Sequence, residues 1–243
     1  MRSIDVFCVF PRAVEAAVRV GVVGRAIERG LVDFRAFDLR DFSADGRIDD
    51  MPFGGGPGMI VRVDIVARAL EEVYGVPARE LKEERRVVVT EAWGRRITQS
   101  YISEVSSDRR DLTIVCGRYG GIDERVSQVI ADEVISLGEF VLSGGEIVAA
   151  ALSDAVIRRM EGVLGNSESL VGESFSSGED VMGPPQYTRP AEWDGERVPA
   201  VLLSGDHEKI RAWREREARL RAAGCLPDPQ PGACRESAKG ESL

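Results

Sequence analysis

Two glycine-dense stretches carry the clearest opportunity for ligand chemistry: residues 117–125 (GRYGGIDER) and 136–146 (SLGEFVLSGGE). Glycine at this density marks backbone that bends sharply or lies against something else, a ligand included. A packing-only reading, with the glycines as ordinary turn residues, stays open from these residues alone. A third stretch, DDMPFGGGPGM (49–59), exposes backbone N–H groups that could cradle an anion. It is neither a Walker A loop nor a GxGxxG fingerprint, and unaided it reads as a flexible loop. His207 is the only histidine, which rules out a His-rich metal site and leaves little room for Ser-His-Asp chemistry. Placed at a helix start, it reads as structural or solvated. Cys8, Cys116, Cys225 and Cys234 show no CxxC pair and no zinc-ligand spacing. The first two fall in strands and read as small buried hydrophobes, the last two as free thiols.

The elements that must position these loops follow from periodicity. Asp111 to Cys116 read as a short buried strand stopped by Gly117, and Glu133 to Leu137 as a second strand closed by Gly138. Asp123 is placed to cap a helix between them, through Glu124, Arg125, Val126 and Val129. The loops therefore sit at the carboxyl ends of strands, where open α/β sheets bind ligands. Upstream, Ile4 to Phe10 predict a strand closed by Pro11. Apolar spacing then predicts helix up to Gly30, and Leu31 to Leu39 the next strand. This β-α-β order points to an α/β fold. Val63 to Tyr74 predict an amphipathic helix. Arg79 to Arg86 read as exposed charge and Val87 to Val89 as a central strand, followed by a TEAWGRRITQ loop and a short helix over 99–105. Glu146 to Met160 predict a largely apolar helix. Residues 166–186, rich in Ser, Gly, Glu and Pro, have the composition of a flexible linker. Val198 to Leu203 give a short apolar segment, and Asp206 caps a helix through Ile210, Trp213 and Leu220.

The 243 residues suffice for a large domain with a smaller one, and 43% hydrophobic with 30% charged residues is ordinary for a globular protein. No apolar run is long enough to span a membrane, and the N-terminus lacks a signal peptide's features, so no membrane partner and a cytoplasmic location are expected. The net charge of −9 argues against non-specific nucleic-acid binding. A local basic face remains open: Lys209, Arg211, Arg214, Arg216, Arg219 and Arg221 crowd one segment, interleaved with Glu208, Glu215 and Glu217. A salt-bridged helix face explains that run equally well.

The stretches GRYGGIDER and SLGEFVLSGGE closely resemble two signatures of the bacterial tRNA (guanine-N1)-methyltransferases, the TrmD family of the SPOUT superfamily. GRAIERGLV (24–32), DDMPFGGGPGM (49–59), GVLGN (162–166), YTRPAEWDGERVPAVLLSGDHEKI (187–210) and Trp213–Arg214 extend the match in the family's order. The resemblance implies a trefoil-knotted, mostly parallel α/β domain over 1–165 that binds S-adenosylmethionine. It further implies a linker over 166–186 and a small, mainly helical tRNA-binding domain over 187–224; residues 225–243 have the composition of a disordered tail. It also implies a homodimer acting on tRNA, with methyl transfer to N1 of the guanosine 3′ of the anticodon.

Methyl transfer to guanine N1 needs a base for the N1 proton and a cation or donors for charge building on O6. No metal is required, and an assisting magnesium ion is compatible. Carried over residue by residue, the resemblance places the methyl donor on Gly117, Leu137, Gly138, Glu139, Phe140, Val141, Leu142, Gly144 and Gly145. The 49–59 loop would help to hold tRNA and shape the donor pocket. Arg158 falls on the family's essential arginine; an exposed helix arginine is the bland reading. The catalytic aspartate aligns with Glu173 of GESF, with Asp180 in reserve; solvated linker carboxylates are the alternative. Three departures stand out. Gly120 replaces the glutamate of Gly-Arg-Tyr-Glu-Gly, TEAWGR replaces a Ser-Pro-Gln-Gly-Arg type loop, and the basic C-terminal ending is missing. A divergent relative methylating another RNA, and an RNA-interaction module that binds the cofactor without catalysis, are the competing functions.

Overall fold

The computed structural model describes residues 2–165, 173–175 and 182–223. The chain divides into two units, Met1–Gly165 and Asn166–Leu243. Most of the linker expected over 166–186, the reserve carboxylate Asp180, Cys225, Cys234 and the 225–243 tail lie outside the described residues.

The first unit runs β1 (Arg2–Cys8), α1 (Pro11–Val18), α2 (Gly21–Glu28), β2 (Val32–Asp38), β3 (Asp49–Asp50), β4 (Ile60–Val61), α3 (Val63–Tyr74), β5 (Arg85–Arg96), α4 (Gln99–Ser107), β6 (Asp111–Cys116), β7 (Glu133–Ser136) and α5 (Glu146–Ile157). Five strands form one sheet in the order β2-β1-β6-β5-β7, every neighbouring pair parallel. A parallel sheet buries both faces, so its strands are near-continuous apolar runs. Alternate residues then divide between two cores. Ile4, Val6, Cys8, Val88, Leu112 and Ile114 join α1, α2, α4 and α5 on one face. Phe7, Val87, Val89 and Val115 join α3 on the other. Cys8 and Cys116 are both buried and free, and burial pushes the Cys116 thiol well above its ordinary value.

Several local expectations are corrected. Pro11 does not close β1, which ends at Cys8; it opens α1, where a missing N–H costs nothing. The helix expected up to Gly30 is two helices separated at Arg19 and Val20, and Gly21, whose φ of +59° no helix interior tolerates, opens the second. The cap at Asp123 is an Asx turn, its carboxylate accepting the N–H of Arg125 at 3.0 Å, and the following segment is a single π turn over Val126–Ile130.

The charged stretch 79–86 is not uniformly exposed: Arg85 and Arg86 open β5 and are buried. Each is held by carboxylates from distant strands. Arg85 Nη2 donates to Asp5 Oδ2 at 2.7 Å and its Nε to Thr113 Oγ1 at 2.7 Å, while Arg86 Nε donates to Glu133 Oε1 at 2.8 Å. Tyr74, donating to Asp5 at 2.9 Å, has its own pKa raised by burial and by that carboxylate.

The TEAWGRR segment is also not a plain loop, because β5 continues through it. Thr90 and Arg95 both register on Ile135 of β7, so residues 91–94 loop out of the strand and return. Gly94 permits the return: a Cβ there would lie 2.5 Å from the Ile135 nitrogen.

In the second unit, β8 (Glu192–Trp193) and β9 (Glu196–Arg197) form a hairpin turned by Asp194 and Gly195, both at positive φ. α6 (Ala200–Leu203) and α7 (His207–Ala222) follow, and Asp206 caps α7 by accepting the Lys209 N–H at 3.1 Å.

Candidate functional site

A cleft of about 250 Å³ opens at the carboxyl ends of β6 and β7, beside the excursion of β5. Its floor is built by close backbone approach. Gly145 N–H donates to Gly117 O at 2.8 Å, and Gly117 N–H donates to Thr90 Oγ1 at 3.1 Å. A Cβ on Gly145 would lie 1.8 Å from Thr90 Oγ1, and one on Gly117 2.7 Å from Thr90 O. These glycines are therefore required by the junction of three chain segments.

The loop after β6 is held from behind by the residues that lead into β4 and α3. Gly120 N–H donates to Met59 O at 2.8 Å, Val61 N–H to Gly121 O at 2.9 Å, and Asp123 N–H to Val61 O at 3.0 Å. Residues 49–59, expected to help shape the donor pocket, are not among those lining the cleft. Tyr119 lines it with its backbone in the left-handed region at φ +61°, a conformation that a non-glycine residue adopts at a cost.

Of the nine residues expected to hold a methyl donor, Gly117, Leu137, Phe140, Val141, Leu142, Gly144 and Gly145 come together around this cleft. Two stand aside. A Cβ on Gly138 would meet the Phe140 ring at 2.9 Å, so Gly138 makes room for Phe140. Glu139 is largely exposed and pairs with Arg96.

The lining is chemically mixed. Leu137 and Leu142 are partly buried against the core, and Phe140 and Val141 present exposed apolar surface. Ser136, Ser143 and the peptide groups of 117–121 supply polar contacts. Such a set suits a ligand with one flat apolar part and one polar, charged part, and S-adenosylmethionine has that form.

Sequence reasoning missed three polar members. Thr90 anchors Gly117. Arg118 pairs with Glu146 of α5 at 3.2 Å. Glu91 accepts the Ile122 N–H at 2.8 Å, and burial raises its pKa above the ordinary value, Glu124 adding to the effect. The departure of TEAWGR from the expected loop pointed to Thr90 and Glu91, and Arg118 lies in the glycine-dense stretch 117–125.

Arg158 caps α5, its N–H donating to Asp154 O at 3.0 Å; it belongs to the first unit and does not line the cleft. Glu173 belongs to the second unit, beside Ser174, Gly183, Pro184, Gln186 and Arg221. A larger cleft of about 790 Å³ within the second unit is lined by Tyr187, Arg189, Arg211 and Arg214, among others. Among the described residues no cluster of three or more His, Cys, Asp or Glu side chains could hold a metal ion, and no helix is long and apolar enough to cross a membrane.

Comparison with known proteins accords with this geometry. A family model described as tRNA (Guanine-1)-methyltransferase TrmD matches residues 1–229. A tRNA (guanine-N(1)-)-methyltransferase of Persephonella marina is 43% identical over 211 residues, covering 86% of this chain and 80% of that protein. One from Limosilactobacillus fermentum is 41% identical over 227 residues, covering 93% and 88%. Among solved structures, the tRNA (m1G37) methyltransferase from Aquifex aeolicus superposes with a TM-score of 0.73 at 37% identity, covering 93% of this chain and 94% of that one.

Proposed function

This chain belongs to the tRNA (guanine-1)-methyltransferase family, and on that premise we propose that it methylates N1 of the guanosine 3′ of the anticodon in tRNA. The observation that carries the reading is the convergence of the two glycine-dense loops and the β5 excursion on one cleft of mixed chemistry. S-adenosylmethionine supplies a methyl group on a positively charged sulfur.

The chain's own residues do the rest. Leu137, Phe140, Val141 and Leu142 wall the adenine, and backbone groups at Gly117, Gly144 and Gly145 orient the donor for in-line attack. Glu173 takes the N1 proton, and Arg158 offsets the negative charge that then builds on O6. The second unit grips the RNA through the exposed Lys209, Arg211, Arg214, Arg216, Arg219 and Arg221 of α7. Their partial pairing, Arg216 with Glu217 at 2.8 Å and Lys209 with Asp206 at 2.9 Å, leaves a mixed face. The proposal includes a homodimer, for which the exposed Phe140, Val141 and Ile147 offer apolar surface, and a cytoplasmic setting. It also includes an assisting magnesium ion, which EDTA titration of the transfer assay tests.

The deciding experiment is methyl transfer from labelled S-adenosylmethionine to unmodified tRNA transcripts with guanosine 3′ of the anticodon. Wild type, Glu173→Ala and Arg158→Ala are assayed and the methylated atom is mapped. Transfer to guanine N1, with a loss of about 10²–10⁴-fold in kcat in Glu173→Ala, is expected. Donor binding without transfer to any such tRNA would move the assignment to another RNA or to a binding role.

A further inference from the structure

Where β5 leaves its register with β7, Glu91 is the first residue of the excursion. Its carboxylate turns to the loop after β6, where Oε1 accepts the Ile122 N–H at 2.8 Å. The neighbouring glycines leave space for it. A Cβ on Gly117 would lie 2.8 Å from Oε1, and one on Gly121 would lie 3.1 and 3.2 Å from the two oxygens. Glu91 lines the cleft and is half-buried.

The charge around it is unbalanced. Arg118, the cation in the cleft lining, is paired with Glu146, and Glu124 adds a second negative charge nearby. Among the described residues no cation is paired with Glu91, and a partly desolvated carboxylate in that position is costly by itself; a cationic ligand removes that cost. Guanine is neutral, whereas the methyl donor carries a sulfonium and an ammonium, so the charge matches the donor. Gly120, on the adjoining loop, has no side chain with which to take the same part.

We propose that Glu91 is the anionic group of the cleft and binds the cationic end of S-adenosylmethionine, so that the carboxylate comes from the β5 excursion and not from the loop after β6. This rests on the reading of the cleft as the donor site. The neutral glutamine in Glu91→Gln still offers the Ile122 N–H an acceptor, so the substitution removes charge while keeping shape.

The test is calorimetric titration of S-adenosylmethionine into the whole protein, wild type and Glu91→Gln, across a pH series, with thermal unfolding as a check on folding. About a tenfold loss of donor affinity is expected, the size of one charge-assisted contact. Wild-type affinity should also fall as pH drops toward and through Glu91's raised pKa, and this dependence should be absent in Glu91→Gln. Equal donor affinities, or a weakened variant that keeps the wild-type pH profile, would overturn the assignment. So would an unchanged donor affinity accompanied by a raised KM for tRNA, which would give the carboxylate to the guanine. Wild-type protein that failed to bind the donor at all would instead sink the methyltransferase reading, so the two failures are distinguishable.

Discussion

Arg118 and Glu146 are joined by two contacts, Nε to Oε1 at 3.2 Å and Nη2 to Oε2 at 3.3 Å. The pair fastens the loop after β6 to the first turn of α5, where the helix dipole favours a negative charge. Glu146 is only 6% exposed, and Arg118 also lies over the Phe10 ring at 4.4 Å. Arg118→Ala would leave a buried carboxylate without its cation, at a cost of about 2–3 kcal/mol after allowance for partial exposure. Urea unfolding measures it. Arg118→Met combined with Glu146→Gln should recover part of the loss, and a single variant as stable as wild type would refute the coupling.

Gly145 tests the close approach beneath the cleft. A Cβ there meets Thr90 Oγ1 at 1.8 Å and the Cys116 Cα at 3.1 Å, so Gly145→Ala must push two strands and a helix start apart. A loss of about 1–3 kcal/mol is expected from such overpacking, together with weaker donor binding. Adding Thr90→Ala should relieve part of the clash, although it also removes the acceptor for Gly117. Thermal unfolding of wild type and the two variants decides whether space or flexibility is the reason for glycine.

Acid stability should depend on Asp108. The Arg110 guanidinium beside it, helped by the Arg110 backbone N–H, holds its pKa at about 2, down from 3.8. A carboxylate depressed on folding stabilises the native state above its unfolded value and loses that contribution as pH falls through its folded value. The window is therefore pH 3.8 down to about 2. Asp108→Asn should be less stable than wild type above that window, with the gap closing within it. Chemical unfolding at a series of pH values would show it, and a gap that stays constant with pH would contradict the assignment.

Much of the architecture was legible because it depends on local pattern. The apolar run 111–116, the amphipathic 63–74 and the Asp206 cap coincide with β6, α3 and the start of α7, since burial periodicity and capping chemistry act within a few residues. The two glycine-dense loops marked the cleft for the same reason: a glycine-stopped strand announces its own end. The reading failed where partners are distant. Arg85 and Arg86 looked like surface charge, because the carboxylates that bury them, Asp5 and Glu133, come from other strands.

The sequence alone determined the order of the main sheet strands and most of the helices, the loops that would meet a ligand and, through resemblance, the chemistry those loops serve. Only the tertiary structure decided that TEAWGRR continues β5, that its excursion brings Glu91 to Gly117 and Gly121, and that Arg118 is neutralised by Glu146. The physical reason is range. Backbone preference and hydrophobic period are written along the chain, whereas the charge balance of a cleft depends on side chains that only sheet pairing brings within hydrogen-bond distance.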